Sequence, residues 1–291
     1  MRREAAAHLI AQGVSERAAC RTVGLHRWTF QYGPRAESHE DAELRAEIRA
    51  LARRHRRYGY RRITALLRRA GRKVNPKRTY RIWKAEGLIL PRKRPKRRRY
   101  GLSVERPHRA QRRGHVWTYD FAFDRTETNR VLKMLIVLDE FTRECHRIRV
   151  ELRLDSRGVI ETLKALFALH GAPGFLRSDN GPEFIADAVQ QWLTDSGTRT
   201  IYIEPGHPWE NGFAESFVGK FRDECLNEEV FWSREEAQIV VETWRIEYNE
   251  RRPHSSLGYR TPSEAAQWLA PAASSVGPLE APAKGSNRGM D

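Results

Sequence analysis

The chain has 291 residues, 40% of them hydrophobic, which allows two domains with real cores, and its formal charge of +16 points to a polyanionic partner. Three scattered cysteines, Cys20, Cys145 and Cys225, exclude a disulfide framework and a zinc finger, and suit a reducing cytoplasm. No apolar run is long enough to span a bilayer and no hydrophobic signal segment follows Met1, so a cytoplasmic protein without a membrane partner is expected.

The charge is uneven. Residues 1–113 carry 33 Lys+Arg against 9 Asp+Glu, and the remainder carries 20 against 28. A basic first part joined to an acidic second part fits nucleic-acid-gripping modules attached to a metal-dependent core.

Residues 1–36 read as two or three short helices, with Gly13 ending the first, Ser15 and Glu16 starting the second, and Gly24 breaking before the third. The unit is either helix-turn-helix-like or a plain structural bundle. Residues 41–90 give a stronger pattern. A helix over 41–57 places Leu44, Ile48 and Leu51 at helical spacing, Tyr58-Gly59-Tyr60 breaks it, and Ile63, Leu66 and Leu67 mark a second. Asn75 and Pro76 then start a third over 77–86, expected to turn Tyr80 and Trp83 inward. That leaves Lys77, Arg78, Arg81 and Lys84 exposed, as on a recognition helix in a DNA major groove, although a solvated basic surface would look similar. Residues 91–115 form a basic linker; seven cations and two prolines between 91 and 99 suit an extended path along phosphates.

From Val116 the periodicity is that of strands: 116–123, 131–138 and an edge strand over 144–152. Ser156 is expected to cap a helix reaching 169, followed by a strand over 175–179, a helix over 184–195, a strand over 199–203 and a helix from about Gly212. The order is β-β-β-α-β-α-β-α. A further amphipathic helix over 233–248 carries Ile239, Val240 and Trp244, and 271–291, rich in Ala, Pro, Ser and Gly, reads as a disordered tail.

Three acids stand where structure changes hand. Asp120 is the only acid within the aromatic run 117–123, an unfavourable place for a charge without a partner. Asp179 ends a strand before the turn Asn180-Gly181-Pro182, and Glu215 follows on a helix with 35 residues between them. Two strand aspartates and a helix glutamate could hold two divalent ions about 3.5–4 Å apart, the arrangement for in-line displacement at phosphorus. Asp139 and Glu140 compete for the role, but an ion pair with Arg143 accounts for them more simply. Glu183 suits a helix N-terminus, and Glu210 lies in the loop before Glu215.

Trp117-Thr118-Tyr119-Asp120, Asp179-Asn180-Gly181-Pro182-Glu183-Phe184, Pro205-Gly206 before Glu210-Asn211-Gly212, and Glu215-Ser216-Phe217 follow one another in this order. Gly219-Lys220-Phe221-Arg222, Tyr248-Asn249 and Arg252-Pro253-His254-Ser255-Ser256-Leu257-Gly258-Tyr259 continue it. In these motifs the chain resembles the OrfB-type DDE transposases of bacterial insertion sequences, with their retroviral-integrase-like core; Val218 stands where many members have asparagine. The resemblance implies an α/β fold: an RNase H-like mixed five-stranded sheet flanked by helices over 116–270, preceded by small all-α helix-turn-helix domains. It implies Asp120, Asp179 and Glu215 as catalytic residues and ligands of two Mg²⁺ ions per site, with Mn²⁺ an alternative. Arg222 lies two helical turns beyond Glu215 and would contact a DNA phosphate, with Lys220 sharing the work. Asn180 and Asn211 would touch the substrate or orient the acids, unless they are ordinary turn residues, and His207 and Trp209 would close over DNA ends. Expected partners are double-stranded DNA, as terminal inverted repeats and as target, further copies of the chain assembled on it, and an upstream OrfA segment joined by frameshifting. The reading from another class is a DNA-binding repressor or accessory factor without catalysis; a serine or tyrosine recombinase would need a covalent nucleophile such as Ser216.

Overall fold

A computed structural model describes residues 1–32, 38–89, 109–179, 181–203 and 211–268. Asn180, His207, Trp209, Glu210, the linker before residue 109 and the tail 271–291 lie outside the described residues. The chain divides into two compact units, Met1–Arg54 and His55–Asp291.

The first unit holds α1 (Arg2–Ala11), α2 (Glu16–Thr22), α3 (Arg27–Gln31) and α4 (His39–Arg54). Gly13, at φ +90°, ends the first turn of chain where an L side chain would be strained. Ser15 Oγ accepts from the Ala18 amide, capping α2. Ala6, Ala19 and Cys20 are buried, and on α4 so are Leu44, Ile48 and Ala52, four residues apart.

The second unit begins with α5 (Tyr60–Arg69) and α6 (Pro76–Ala85). Asn75 Oδ1 accepts from the Lys77 amide at 2.8 Å, and Pro76 occupies the first helical position. The inward pair of α6 is Thr79 and Trp83, one turn apart, not Tyr80 and Trp83. Tyr80 is rotated to the rim, 43% exposed, and its ring meets Tyr60 at 4.9 Å. Lys77, Arg81 and Lys84 are exposed and Arg78 is half-buried.

The sheet comprises β1 (Val116–Arg125), β2 (Val131–Asp139), β3 (Cys145–Glu151), β4 (Phe175–Ser178) and β5 (Arg199–Tyr202), in the order β3-β2-β1-β4-β5. The first three strands are antiparallel neighbours, and β1, β4 and β5 are parallel. Between the strands run α7 (Ser156–His170), α8 (Pro182–Ile185) and α9 (Asp187–Asp195), and after β5 come α10 (Gly212–Phe221), α11 (Arg234–Glu250) and α12 (Pro262–Trp268). This is the RNase H-like mixed sheet flanked by helices.

Both faces are covered, so β2 reads as a continuous apolar run. On one face Leu132, Met134, Ile136 and Leu138 pack with Phe217, Phe221, Val241 and Tyr248 of α10 and α11. On the other, Trp117, Tyr119, Leu135 and Val137 pack with Val159, Leu163, Val189 and Leu193 of α7 and α9. Asn249 ties α11 to the edge strand, accepting from the Cys145 amide and donating to its carbonyl.

Three expectations shift. Asp155, not Ser156, caps α7, with Oδ1 accepting from the Gly158 amide at 3.0 Å. The helix expected over 184–195 is broken at Ala186, whose ψ of 131° is extended. On α11, Ala237, Val241 and Tyr248 are buried while Ile239 is 68% exposed; Val240 and Trp244 are partly buried against the core.

Candidate active site

Strand register puts the two aspartates level. Thr118 pairs with Arg177 across β1 and β4, and Asp120 and Asp179 each lie two residues further on. Neighbouring parallel strands are about 4.8 Å apart, and two-residue steps keep side chains on one face. That face is the one covered by α10, because Ala122 and Ile136, the cross-strand partner of Asp120, belong to its core.

The glutamate arrives from above. Thr118 Oγ1 donates to Asn211 Oδ1 at 2.8 Å, and both side chains are buried. From that tie, four helical residues lead to Glu215, a rise of about 6 Å. Two strand residues lead from Thr118 to Asp120, about 6.6 Å. The charges of Glu215 and Asp179 both act on the Asp120 carboxyl. Asn211 ties the residue before α10 to β1 through Thr118, a contact its place beside Gly212 in the sequence did not reveal.

The electrostatics carry the same signature. The half-buried Asp120 carboxyl is pushed up to about 6, first by burial and then by the charges of Asp179 and Glu215, against the Phe121 amide that donates to its Oδ1 at 2.7 Å. Asp179 is exposed; its Oδ1 accepts from the Gly181 amide at 3.0 Å, and a Cβ at residue 181 would come within 3.1 Å of that oxygen. No cation pairs with any of the three acids among the described residues. Their oxygens are hard donors of the kind Mg²⁺ takes. Among the described residues no three acid, histidine or cysteine side chains already form a closed cage for an ion.

The competing acids Asp139, Glu140 and Glu183 are occupied. Asp139, 1% exposed, accepts from the amides of Gly114, Phe141 and Thr142 and from the Thr142 hydroxyl. It shapes the β2–β3 turn, in which Arg143 takes φ +66°. Glu140 holds Arg177 at 2.8 Å, both fully buried, while the Arg143 guanidinium donates to the Glu140 carbonyl. Glu140 thus has Arg177, which β4 brings across the sheet, as a partner beside the Arg143 named from the sequence, while Asp139 is held by backbone amides. Glu183 pairs with Lys133, whose ammonium lies 4.1 Å from the Phe121 ring.

Beyond Glu215 the helix widens into a π-helical turn, Arg222–Leu226. Arg222 is exposed. Lys220 donates to Ser216 Oγ at 2.7 Å, and burial together with Arg252 and Arg62 pushes its ammonium down to about 8. Glu224 in the widened turn takes two 2.6 Å bonds from the buried Arg252 and one of 3.2 Å from Arg62 on α5. Tyr58 lies against both guanidiniums, 5.2 Å from Arg62 and 5.8 Å from Arg252. A Glu–Arg–Arg clamp thus joins α5 to the helix bearing Glu215. Sequence reading placed Arg252 in a motif and missed its partner, 28 residues away.

Two models described as integrase core domain match residues 110–208 and 196–262, and one described as an HTH-like domain matches residues 38–97. The chain is 41% identical over 255 residues to an uncharacterized 31.7 kDa protein of insertion element IS407 from Burkholderia multivorans, covering 87% of this chain and 91% of that one. It is 28% identical over 244 residues to the transposase for insertion sequence element IS904 of Lactococcus lactis, covering 79% and 96%. The solved HTLV-2 integrase catalytic core domain in complex with magnesium is 16% identical, with a TM-score of 0.41, covering 54% of this chain and 99% of that one. On the strength of the first relative and the core-domain matches, the chain belongs to the DDE-type transposases of bacterial insertion sequences.

Proposed function

We propose that this transposase cuts and joins DNA at the ends of its own element, with Asp120, Asp179 and Glu215 as the catalytic acids. The observation that carries the reading is the Asp120 carboxyl, burdened by two further acids that no described cation neutralises. Such a cluster is costly by itself and is relieved by divalent cations, two Mg²⁺ or in their place Mn²⁺. When bound, these ions activate a water or a freed 3′-hydroxyl and stabilise the leaving oxygen in line with it. Asp120 and Asp179 offer oxygens from the sheet and Glu215 from the helix. Lys220 and the exposed Arg222 steady a backbone phosphate beside them, and Asn180 lies next to Asp179 where it would meet the strand.

Lys77, Arg78, Arg81 and Lys84 on α6 read and grip the terminal repeat in its major groove, and the basic composition of 91–99 would add sequence-blind attraction to phosphates. Two DNA ends and a target call for several copies of the chain on the DNA, and an OrfA segment fused upstream would extend the grip. Among the described residues no helix is long and apolar enough to cross a membrane, in keeping with work on cytoplasmic DNA.

Asp179→Asn and Glu215→Gln are expected to abolish joining of a labelled terminal-repeat duplex in Mg²⁺ while leaving duplex binding intact. Continued joining by either variant overturns the site assignment. A wild-type protein that shifts the duplex but never nicks or joins it is a repressor instead.

A further inference from the structure

A groove of about 370 Å³ opens between the β2–β3 turn, the start of α10 and the chain leading through α12. Its wall is aromatic and its rim cationic. Phe141, Phe213 and Trp268 line it together with Arg109, Arg143 and Arg260. The Arg143 guanidinium lies 3.8 Å from the Phe213 ring centre and that of Arg260 4.4 Å from the ring centre of Trp268, which is 66% exposed. The one acid on the wall, Glu140, already holds Arg177. Phe213 precedes Glu215 by two residues on α10, and Arg143 and Phe213 also border a second cavity of about 220 Å³ containing Lys220 and Ser216.

We propose that this groove takes one unpaired nucleotide of a DNA strand, an inference that rests on the DNA-processing function proposed above. The base lies against the aromatic wall and the phosphate among the arginines. A paired backbone would use only the cations, since its bases are stacked inward; arginine-flanked aromatic faces suit a splayed base of any sequence. The volume is at the lower end of the range for small-ligand sites and far too small for a duplex. Phe213 stands on the helix that also carries Glu215, so the groove and that acid are positioned by one element.

The test is binding of fluorescent terminal-repeat duplexes to the full chain in EDTA, so that no chemistry intervenes. One duplex is blunt, one carries a three-nucleotide single-stranded 3′ tail, and one carries the same tail without bases. The tailed duplex is expected to bind about tenfold tighter than the blunt one, the effect of a stacked base, and the abasic tail to lose that gain. Trp268→Ala should erase the preference and leave blunt-duplex affinity unchanged, while Trp268→Phe retains most of it. Equal binding of blunt and tailed duplexes, or an equal loss on both in Trp268→Ala, overturns the proposal. Failure to bind any duplex would instead remove the DNA-processing function and this inference with it.

Discussion

Thr118→Val removes one hydroxyl and almost no volume, and it tests whether the Thr118–Asn211 bond sets the position of Glu215. The substitution leaves the buried Asn211 Oδ1 without the donor that lies at 2.8 Å. An orphaned buried acceptor costs about 1–3 kcal/mol. For a unit of this size each kcal/mol lowers Tm by about 2–4 °C, so a fall of roughly 2–12 °C is expected from the two ranges together. The effect on chemistry should exceed the effect on stability. Once the tie is cut, the first turn of α10 keeps its apolar packing through the buried Ala214 but loses the directed bond to β1, and a displacement of about 1 Å at a reacting centre can cost about 100-fold in rate. The assay is strand joining by a pre-cut labelled end, measured well below Tm, beside a thermal melt of the same preparation. Thr118→Ser, which keeps the hydroxyl, should restore both. If Thr118→Val melts several degrees lower yet joins ends at the wild-type rate, the bond merely holds the fold and the registration argument is wrong.

Arg252→Ala should destabilise the second unit by about 3–5 kcal/mol, because it leaves the Glu224 carboxylate facing only Arg62. Arg252→Lys should rescue little, since one ammonium cannot make both 2.6 Å bonds; urea unfolding of the three proteins decides. His146, packed 4.4 Å from the rings of Trp117 and His170, is pushed down to about 3 by burial and by His170, Arg113 and Arg245. Above pH 6.5 it is neutral folded or unfolded; as pH falls toward 3 only the unfolded chain takes the proton, so stability drops by about 1.4 kcal/mol per pH unit. His146→Phe should remove about 2 kcal/mol of the stability lost between pH 7 and pH 5, read from urea midpoints against the wild type. Arg81→Ala and Lys84→Ala should each lower the slope of log affinity against log salt by about one, equally for all sequences, if these exposed cations meet phosphates; a loss confined to one base position would make them readers of sequence.

The sheet was legible because its signals are local: each strand run is bounded by turn residues, and Asp179 stands at the end of an apolar run directly before Asn-Gly-Pro. The same locality explains the misses. Asp155 and Ser156 are both good capping residues, and only the path of the backbone chooses between them. Tyr80 and Thr79 differ by one helical step, and a small residue won the inward place because Trp83 already fills the space above it. Three acids that composition could offer as metal ligands are spoken for by partners 25 to 50 residues distant in sequence: Asp139 by the Gly114 amide, Glu140 by Arg177 and Glu183 by Lys133. Periodicity cannot see such pairings.

The π-helical turn at Arg222–Leu226 makes the spacing between Glu215 and Glu224 a fixed length rather than a tolerant one. An α-helix advances about 100° per residue, so deleting a single residue there, or closing the turn to ordinary α geometry, would swing Glu224 away from both guanidiniums. Lineages of this chain should therefore conserve the number of residues in that stretch more strictly than their identity, and a one-residue deletion should uncouple α5 from the helix bearing Glu215 without touching Asp120, Asp179 or Glu215.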